Sequence, residues 1–223
     1  MLSESRLRLG GMSKYFITIA GNIGVGKSTL VGLLAERLGW APIYEAVTEN
    51  PYLADFYKDM QRWSFHSQVF FLSRRLQQHH ELLQLPHSAI QDRSVYEDAE
   101  IFARNLYRQG NMGERDWQSY YDLYQTLAML LRPPDLVIYL QASLPTLRRR
   151  IANRGRDYER GISDAYLLQL NSLYDEWAQS FSLSPVLIVD TNNLDYVQNG
   201  AHLDAIWERI EARLYGRDFI ALT

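Results

Sequence analysis

Residues 21–28 read Gly21-Asn22-Ile23-Gly24-Val25-Gly26-Lys27-Ser28, which satisfies the G-x-x-x-x-G-K-[ST] pattern of a phosphate-binding loop. The flanks supply the context that the pattern needs. Tyr15-Phe16-Ile17-Thr18-Ile19-Ala20 is aromatic and β-branched and reads as a buried strand. After the loop, Leu30, Leu33, Leu34 and Leu38 share one helical face, and Gly39 suits a helix stop. Glycines let the backbone curl until its N–H groups converge on an anion, and the helix N-terminus adds partial positive charge. Lys27 can reach the β- and γ-phosphates of a triphosphate. Ser28, with Thr29 behind it, can offer a hydroxyl to Mg²⁺. A glycine-rich turn ending in Lys-Ser by chance would lack this strand–loop–helix order. The loop implies a nucleoside triphosphate, but not the fate of its γ-phosphate.

Composition narrows the remaining classes. A chain of 223 residues that is 47% hydrophobic fits one α/β domain, at most with a lid. A net charge of -3 offers no basic excess for nucleic acid. With no cysteine there is no disulfide, thiolate metal site or cysteine nucleophile, which is compatible with a reducing cytoplasmic setting. No apolar run approaches the roughly 20 residues of a membrane span. Residues 1–13 are expected to be a flexible extension, with Met12 as an alternative start, and residues 14–223 a single domain.

Outward from the loop, apolar Ala41-Pro42-Ile43-Tyr44 reads as a second strand with Glu45 at its carboxyl end. In open α/β sheets that end faces the ligand crevice, where a carboxylate can take a proton from a hydroxyl. Tyr52 to His80 reads as aromatic helix, ended by Pro86, and embeds Tyr57, Arg62, Gln68 and Arg74. The adjacent His79 and His80 are expected to be solvated, since no third ligand sits at helical spacing. Ser88-Ala89-Ile90-Gln91 reads as a strand ending in Asp92-Arg93-Ser94. Asp92 can hold Mg²⁺, and Arg93 can neutralise charge on a transferring phosphoryl group. The plainer reading of the same pair is a structural ion pair.

Val95–Tyr107 and Trp117–Leu131 read as helices, Asp135–Leu140 as a buried strand, and Ser143 as the cap of a basic helix. That helix and its exit place five arginines within residues 148–156, with Arg150 and Arg154 on one face. Beside a phosphate site this reads as a lid over about residues 150–162, closing on the triphosphate. Ile162–Phe181 reads as helix, Pro185–Asp190 as the last strand and Leu203–Leu214 as a closing helix. Strands alternating with helices predict a doubly wound parallel sheet.

With these segments in order, the chain from about Tyr15 to Leu214 resembles the deoxynucleoside kinase family (deoxycytidine, deoxyguanosine and deoxyadenosine kinases), most of all its bacterial deoxyadenosine/deoxyguanosine branch. The resemblance rests on the loop, Glu45 with Glu49-Asn50-Pro51-Tyr52-Leu53, Arg62-Trp63-Ser64-Phe65 with Gln68, and Asp92-Arg93-Ser94-Val95-Tyr96 with Asp98 and Ile101-Phe102. It extends through Tyr139-Leu140, Arg154-Gly155-Arg156, Glu159 and Gly161-Ile162. It implies a P-loop kinase fold. It also implies that Glu45 accepts the proton of the 5′-hydroxyl, that Tyr57 and Glu159 bind the sugar 3′-hydroxyl, and that Gln68 and Asp98 hydrogen-bond the base with Phe102 packed on it. Arg93 is implied near the 5′-oxygen and phosphates, and Asp92 near Mg²⁺. Arg150, Arg154 and Arg156 are implied as lid residues on ATP, and Asp195-Tyr196 as the loop touching its adenine. Ala46 stands where relatives usually have Pro. The Gln68–Arg74 spacing is one residue shorter than in the animal enzymes, so Arg74 is not carried over as a base contact.

The implied reaction is Mg²⁺-assisted transfer of the γ-phosphoryl of ATP to the 5′-hydroxyl of a deoxynucleoside, with purines preferred and deoxycytidine also accommodated. Glu45 and Gln68 argue against a monophosphate kinase of the thymidylate kinase type, which needs extra cations and no such base. The lack of an Asn-Lys-x-Asp motif argues against a GTPase-like regulator. The expected partners are small molecules and a second copy of the chain, joined through long apolar helices between Val95 and Leu131.

Overall fold

The computed structural model describes residues 14–45 and 49–215, apart from the side chain of Tyr158. The extension expected over residues 1–13, and Ala46, lie outside the described residues. Five parallel strands form one sheet in the order β2-β3-β1-β4-β5, where β1 is Phe16–Gly21, β2 Ala41–Ile43, β3 Ala89–Asp92, β4 Leu136–Gln141 and β5 Val186–Asp190. Every strand expected from the sequence is present. β1 is central, pairing Ile17 with Ile90 on one side and with Leu136 on the other.

Alternation along the strands divides the core between the two faces. Ala20, Val137 and Tyr139 pack into the larger cluster, and Ile17, Ile19, Ile138 and Leu140 into the one under α1. Helix α1 (Lys27–Leu38) follows the phosphate loop directly and ends at Gly39 in the left-handed conformation. Helix α9 (Gly200–Tyr215) covers the same face through Ile206 and Ile210.

The other face differs from expectation in three ways. The run from Tyr52 is two helices, α2 (Leu53–Lys58) and α3 (Met60–Gln84), because Asp59 leaves the helical conformation and its side chain caps α3 at the Arg62 amide. Leu85, ahead of Pro86, is extended, as a pre-proline residue prefers. The segment beginning at Val95 passes through α4 (Val95–Glu97), a π-helical turn (Asp98–Ala103) and α5 (Arg104–Arg108), and most of it is buried. Helix α6 (Glu114–Ala128) is amphipathic with Tyr120 and Tyr124 inward, and ends before Met129 and Leu130, which are exposed. The homodimer expectation rests on long apolar helices, and none is found among the described residues of this region.

His79 is a further correction. It is buried edge-on against Phe16, and only His80 is exposed. Helix α7 (Leu144–Arg154) carries the arginines, and α8 (Asp164–Ser180), capped by Ser163, closes the layer. Among the described residues no helix is long and apolar enough to cross a membrane.

Gly21 and Gly39 both have positive φ, 143° and 66°. A Cβ at Gly21 would lie 2.7 Å from the Leu140 carbonyl oxygen, whereas one at Gly39 meets nothing within 4 Å. Gly39→Ala should therefore cost about 1–2 kcal/mol, the left-handed penalty alone. Gly21→Ala should cost clearly more. Urea unfolding midpoints of the two variants check this order, and equal midpoints would refute it.

Candidate active site

The carboxyl ends of β1, β2 and β3 converge on one crevice. The phosphate loop leaves β1 at Gly21, Glu45 lies two residues past β2, and Arg93 directly follows β3 with its amide still bonded to the Ile19 carbonyl at 3.0 Å. This is the edge at which doubly wound sheets bind ligands. Lys27 is buried, and its Nζ donates to the carbonyls of Gly21 at 2.9 Å and Asn22 at 3.1 Å. Burial, with Arg93 adding to it, pulls the Lys27 ammonium down to about 8. Asn22 tethers the loop to α8, its Nδ2 donating to the Leu167 carbonyl and to Asn171 Oδ1.

Two cavities open on the loop. The first, of about 270 Å³, is lined by Glu45, Tyr57, Gln68, Arg93, Phe102 and Glu159, with Ile23, Phe71 and Tyr166 among its further walls. The second, of about 530 Å³, is lined by Gly26, Thr29, Arg150, Asp195 and Tyr196. Gly24, Lys27, Ser28, Arg154 and Arg156 line both. One compartment thus meets the other across the phosphate loop, the arrangement a group transfer between two ligands requires.

Within the smaller cavity, Arg93 donates from Nη1 to Glu45 Oε1 at 2.6 Å, and its guanidinium lies 4.1 Å from the Phe102 ring centre. Its φ of 64° is the one left-handed non-glycine backbone among the described residues. Burial opposes ionisation of Glu45, but the Arg93 and Arg75 guanidiniums outweigh it and hold the carboxyl below its usual range. Asp92 is buried with Oδ2 accepting from Ser28 Oγ. Among the described residues its Oδ1 has no hydrogen-bond partner, and neither has Gln68 Oε1. Glu159 is held by Arg154, whose Nη2 lies 2.7 Å from both carboxylate oxygens. Burial pushes the Tyr57 phenol well above its ordinary range.

Asp98 stands off the cavity, and several other expected residues are engaged by neighbouring groups. Asp98 is buried but does not line the cavity, and its Oδ2 accepts from Arg75 Nε at 3.1 Å. Arg150 is committed to the backbone, donating to the carbonyls of Val25 at 2.8 Å and Thr191 at 2.7 Å. Tyr196 is also buried, and its hydroxyl donates to the Gly26 carbonyl at 3.1 Å while Asp195 is exposed. Arg62 is exposed over Trp63, and Arg74 pairs with Glu49 at the surface.

Two residues that the sequence reasoning missed are central. Arg75 is buried and joins Asp98, the Asp92 carbonyl and Glu45. It sits seven residues after Gln68, close to two helical turns, and that spacing was the available signal. Glu97 is fully buried three residues after Ser94, at the spacing of a capping box.

Comparison with known proteins gives this site its context. The deoxynucleoside kinase family model matches residues 17–214. The chain is 37% identical to a Bacillus subtilis deoxyadenosine/deoxycytidine kinase, covering 89% of this chain and 93% of the relative. It is 34% identical to a deoxyguanosine kinase of the same organism, covering 86% and 93%. The structure of M. mycoides deoxyadenosine kinase with products dCMP and a flexible dCDP superposes with a TM-score of 0.79 at 33% identity, covering 88% of this chain and 99% of that one. A superposition over 88% of the chain, a phosphate loop joining two cavities, and a family match over nearly the whole described chain lead to one conclusion: this chain belongs to the deoxynucleoside kinase family.

Proposed function

We propose that this kinase phosphorylates the 5′-hydroxyl of purine deoxynucleosides, deoxyadenosine before deoxyguanosine, with ATP as donor and Glu45 as the base. The observation that carries it is the cavity in which Glu45, Arg93 and Gln68 face one ligand beside the phosphate loop. The acceptor oxygen forms a bond to the γ-phosphorus as the bond to the bridging β–γ oxygen breaks, and its proton passes to Glu45. ADP and the nucleoside monophosphate leave. Arg93 and Lys27 offset the charge on the transferring group. Tyr57 and Glu159 take the sugar 3′-hydroxyl, and Phe102 packs against the base.

The base preference follows from Gln68. Its buried carboxamide lies at the cavity wall with an oxygen unpartnered among the described residues. A carboxamide makes a bidentate pair with adenine, accepting from the amino group and donating to a ring nitrogen. The relatives named for deoxyadenosine agree with this choice. A monophosphate acceptor or a non-catalytic regulator is not favoured, because a carboxylate and a carboxamide on the cavity wall suit a neutral nucleoside.

Mg²⁺ fits at Ser28 and Asp92. Asp92 Oδ1 is a buried carboxylate oxygen without a partner among the described residues, next to the loop serine. Few protein ligands plus phosphate oxygens is the usual Mg²⁺ arrangement, and no larger acidic or histidine cluster is found among the described residues. The cation would offset charge on the β- and γ-phosphates. We take residues 14–223 as one catalytic domain, with Arg154 and Arg156 on a lid spanning about residues 150–162. A cytoplasmic location follows from the substrates.

Three measurements test this reading. Glu45→Gln should lower kcat by about 10²-fold or more with little change in nucleoside KM, and near-normal turnover would remove Glu45 as the base. Gln68→Leu should raise the deoxyadenosine KM about tenfold, the loss of one to two buried hydrogen bonds, and leave the ATP KM unchanged. Among the four deoxynucleosides with ATP and Mg²⁺, deoxyadenosine should give the highest kcat/KM, and a lead for thymidine would overturn the base assignment.

A further inference from the structure

We propose that Glu97 is a positioning residue for phosphoryl transfer, acting through the first amide of the phosphate loop and through the Arg93 guanidinium. Glu97 is fully buried at the end of α4. Its Oε1 accepts from the Ser94 amide at 2.9 Å. Its Oε2 accepts from the Gly21 amide at 3.3 Å and from the Tyr174 hydroxyl at 2.8 Å. One carboxylate therefore joins the start of the phosphate loop, the turn that carries Arg93, and α8. A capping role explains only the Ser94 contact. The Gly21 and Tyr174 contacts lie 76 and 77 residues away in the chain.

The contact with Arg93 gives this placement its consequence. Arg93 is held on its Nη1 side by Glu45 and on its face by Phe102. Its Nε makes no hydrogen bond among the described residues and points toward Glu97 Oε2 at 3.9 Å. A negative charge behind the guanidinium balances the pull of Glu45 in front. Without that charge the existing 2.6 Å bond from Arg93 to Glu45 is unopposed, and Arg93 holds more firmly the oxygen that takes the hydroxyl proton. The loop entrance at Gly21 loses its anchor at the same time. Misplacing reacting groups by about 1 Å can cost 10²-fold in rate.

All the groups bonded to Glu97 are donors, so the ionised form is the complementary one. Burial pushes its carboxyl up to about 7, against the opposing pull of Arg93, Lys27, the Ser94 amide and Tyr174. The charged and titratable groups facing it are Arg93 on the adjoining turn, Lys27 on the phosphate loop and Tyr174 on α8, with Glu45 beyond Arg93. Protonation below about 7 removes the charge behind Arg93, so activity should fall as pH falls through that region. The limb set by Glu45 lies lower, since its carboxyl is held below the usual range.

The inference rests on the roles proposed for Glu45 and Arg93, and kcat–pH profiles of three variants separate the two. Glu97→Gln should lose about tenfold or more in kcat at pH 8, with nucleoside and ATP KM within threefold, and should lack the acid limb near pH 7. Tyr174→Phe keeps the ring stacked on Tyr139 but removes a donor that favours the carboxylate. It should fold, lose a few-fold in kcat and move the limb to higher pH. A Glu97→Gln profile superimposable on that of the unsubstituted enzyme overturns the inference, even if its Tm is lower. If Glu97→Gln does not fold, an unmoved limb in Tyr174→Phe overturns it instead. Failure of the Glu45 reading looks different: Glu45→Gln turns over normally, whatever the Glu97 variants do.

Discussion

The burial of the Arg93 guanidinium is the constraint on which the site depends. A buried charge is tolerated only when paired and hydrogen-bonded, and Arg93 satisfies this from three sides: Glu45 in front, the Phe102 ring across its face and Glu97 behind. Its left-handed backbone, φ 64°, costs on the order of 1–3 kcal/mol for a residue with a side chain. That strain turns the chain sharply after β3, so the side chain enters the crevice instead of continuing along the sheet. The amide bond to Ile19 and the Glu97 contact to Ser94 hold the turn on either side.

Charge balance extends the same logic to the neighbours. Lys27, Arg75 and Arg93 face Glu45, Asp92, Glu97 and Asp98, which leaves one carboxylate in excess. Burial raises Glu97 to about 7 and raises Asp98 as well, so the excess falls on carboxylates outside the cavity lining. Glu45 is pushed the opposite way by its two arginines, despite its burial. Opposed shifts in neighbouring carboxylates are how one crevice keeps an ionised base at neutral pH. Helix α8 fixes the frame for this cluster. Asn171 and Tyr174 lie on one face of it, the first bonded to Asn22 and the second to Glu97, so the two ends of the loop's opening turn are held by one helix.

Much of this was legible in the chain. The loop, its flanking strand and α1 follow from local pattern, because a phosphate cradle needs glycines, a lysine and a helix in immediate succession. The strands, and Glu45 and Arg93 at their ends, follow from apolar runs ending in charge. What could not be read depended on helical phase or tertiary contact. Arg74 and Arg75 are equivalent in composition, and only the phase of α3 turns Arg75 inward and leaves Arg74 on Glu49. The π turn over Asp98–Ala103 has no period-based signal, and Asp98 at its start does not line the cavity. Arg150 lines the second cavity as its shared face with Arg154 suggests, but its backbone partners were not legible. The carbonyls of Val25 and Thr191 that capture it are more than forty residues from it in the chain.

The proposed lid follows the same principle of pairing. Glu159, proposed for the sugar, has both oxygens engaged by Arg154, and Arg156 stands 3.5 Å from one of them. Glu45, proposed for the 5′-hydroxyl, is likewise held by Arg93 and Arg75. In each case a carboxylate proposed for the nucleoside is paired with an arginine that also borders the phosphate loop or its cavity. Phosphate oxygens are strong bidentate acceptors for arginine. Under the proposed roles, a triphosphate that draws Arg154 and Arg93 toward itself loosens Glu159 and Glu45 for the sugar hydroxyls. The two substrates are then coupled through shared arginines, without a hinge between domains. The coupling has to stay modest, because each carboxylate keeps a second cation, Arg156 for Glu159 and Arg75 for Glu45, so neither is left as an unpaired buried charge.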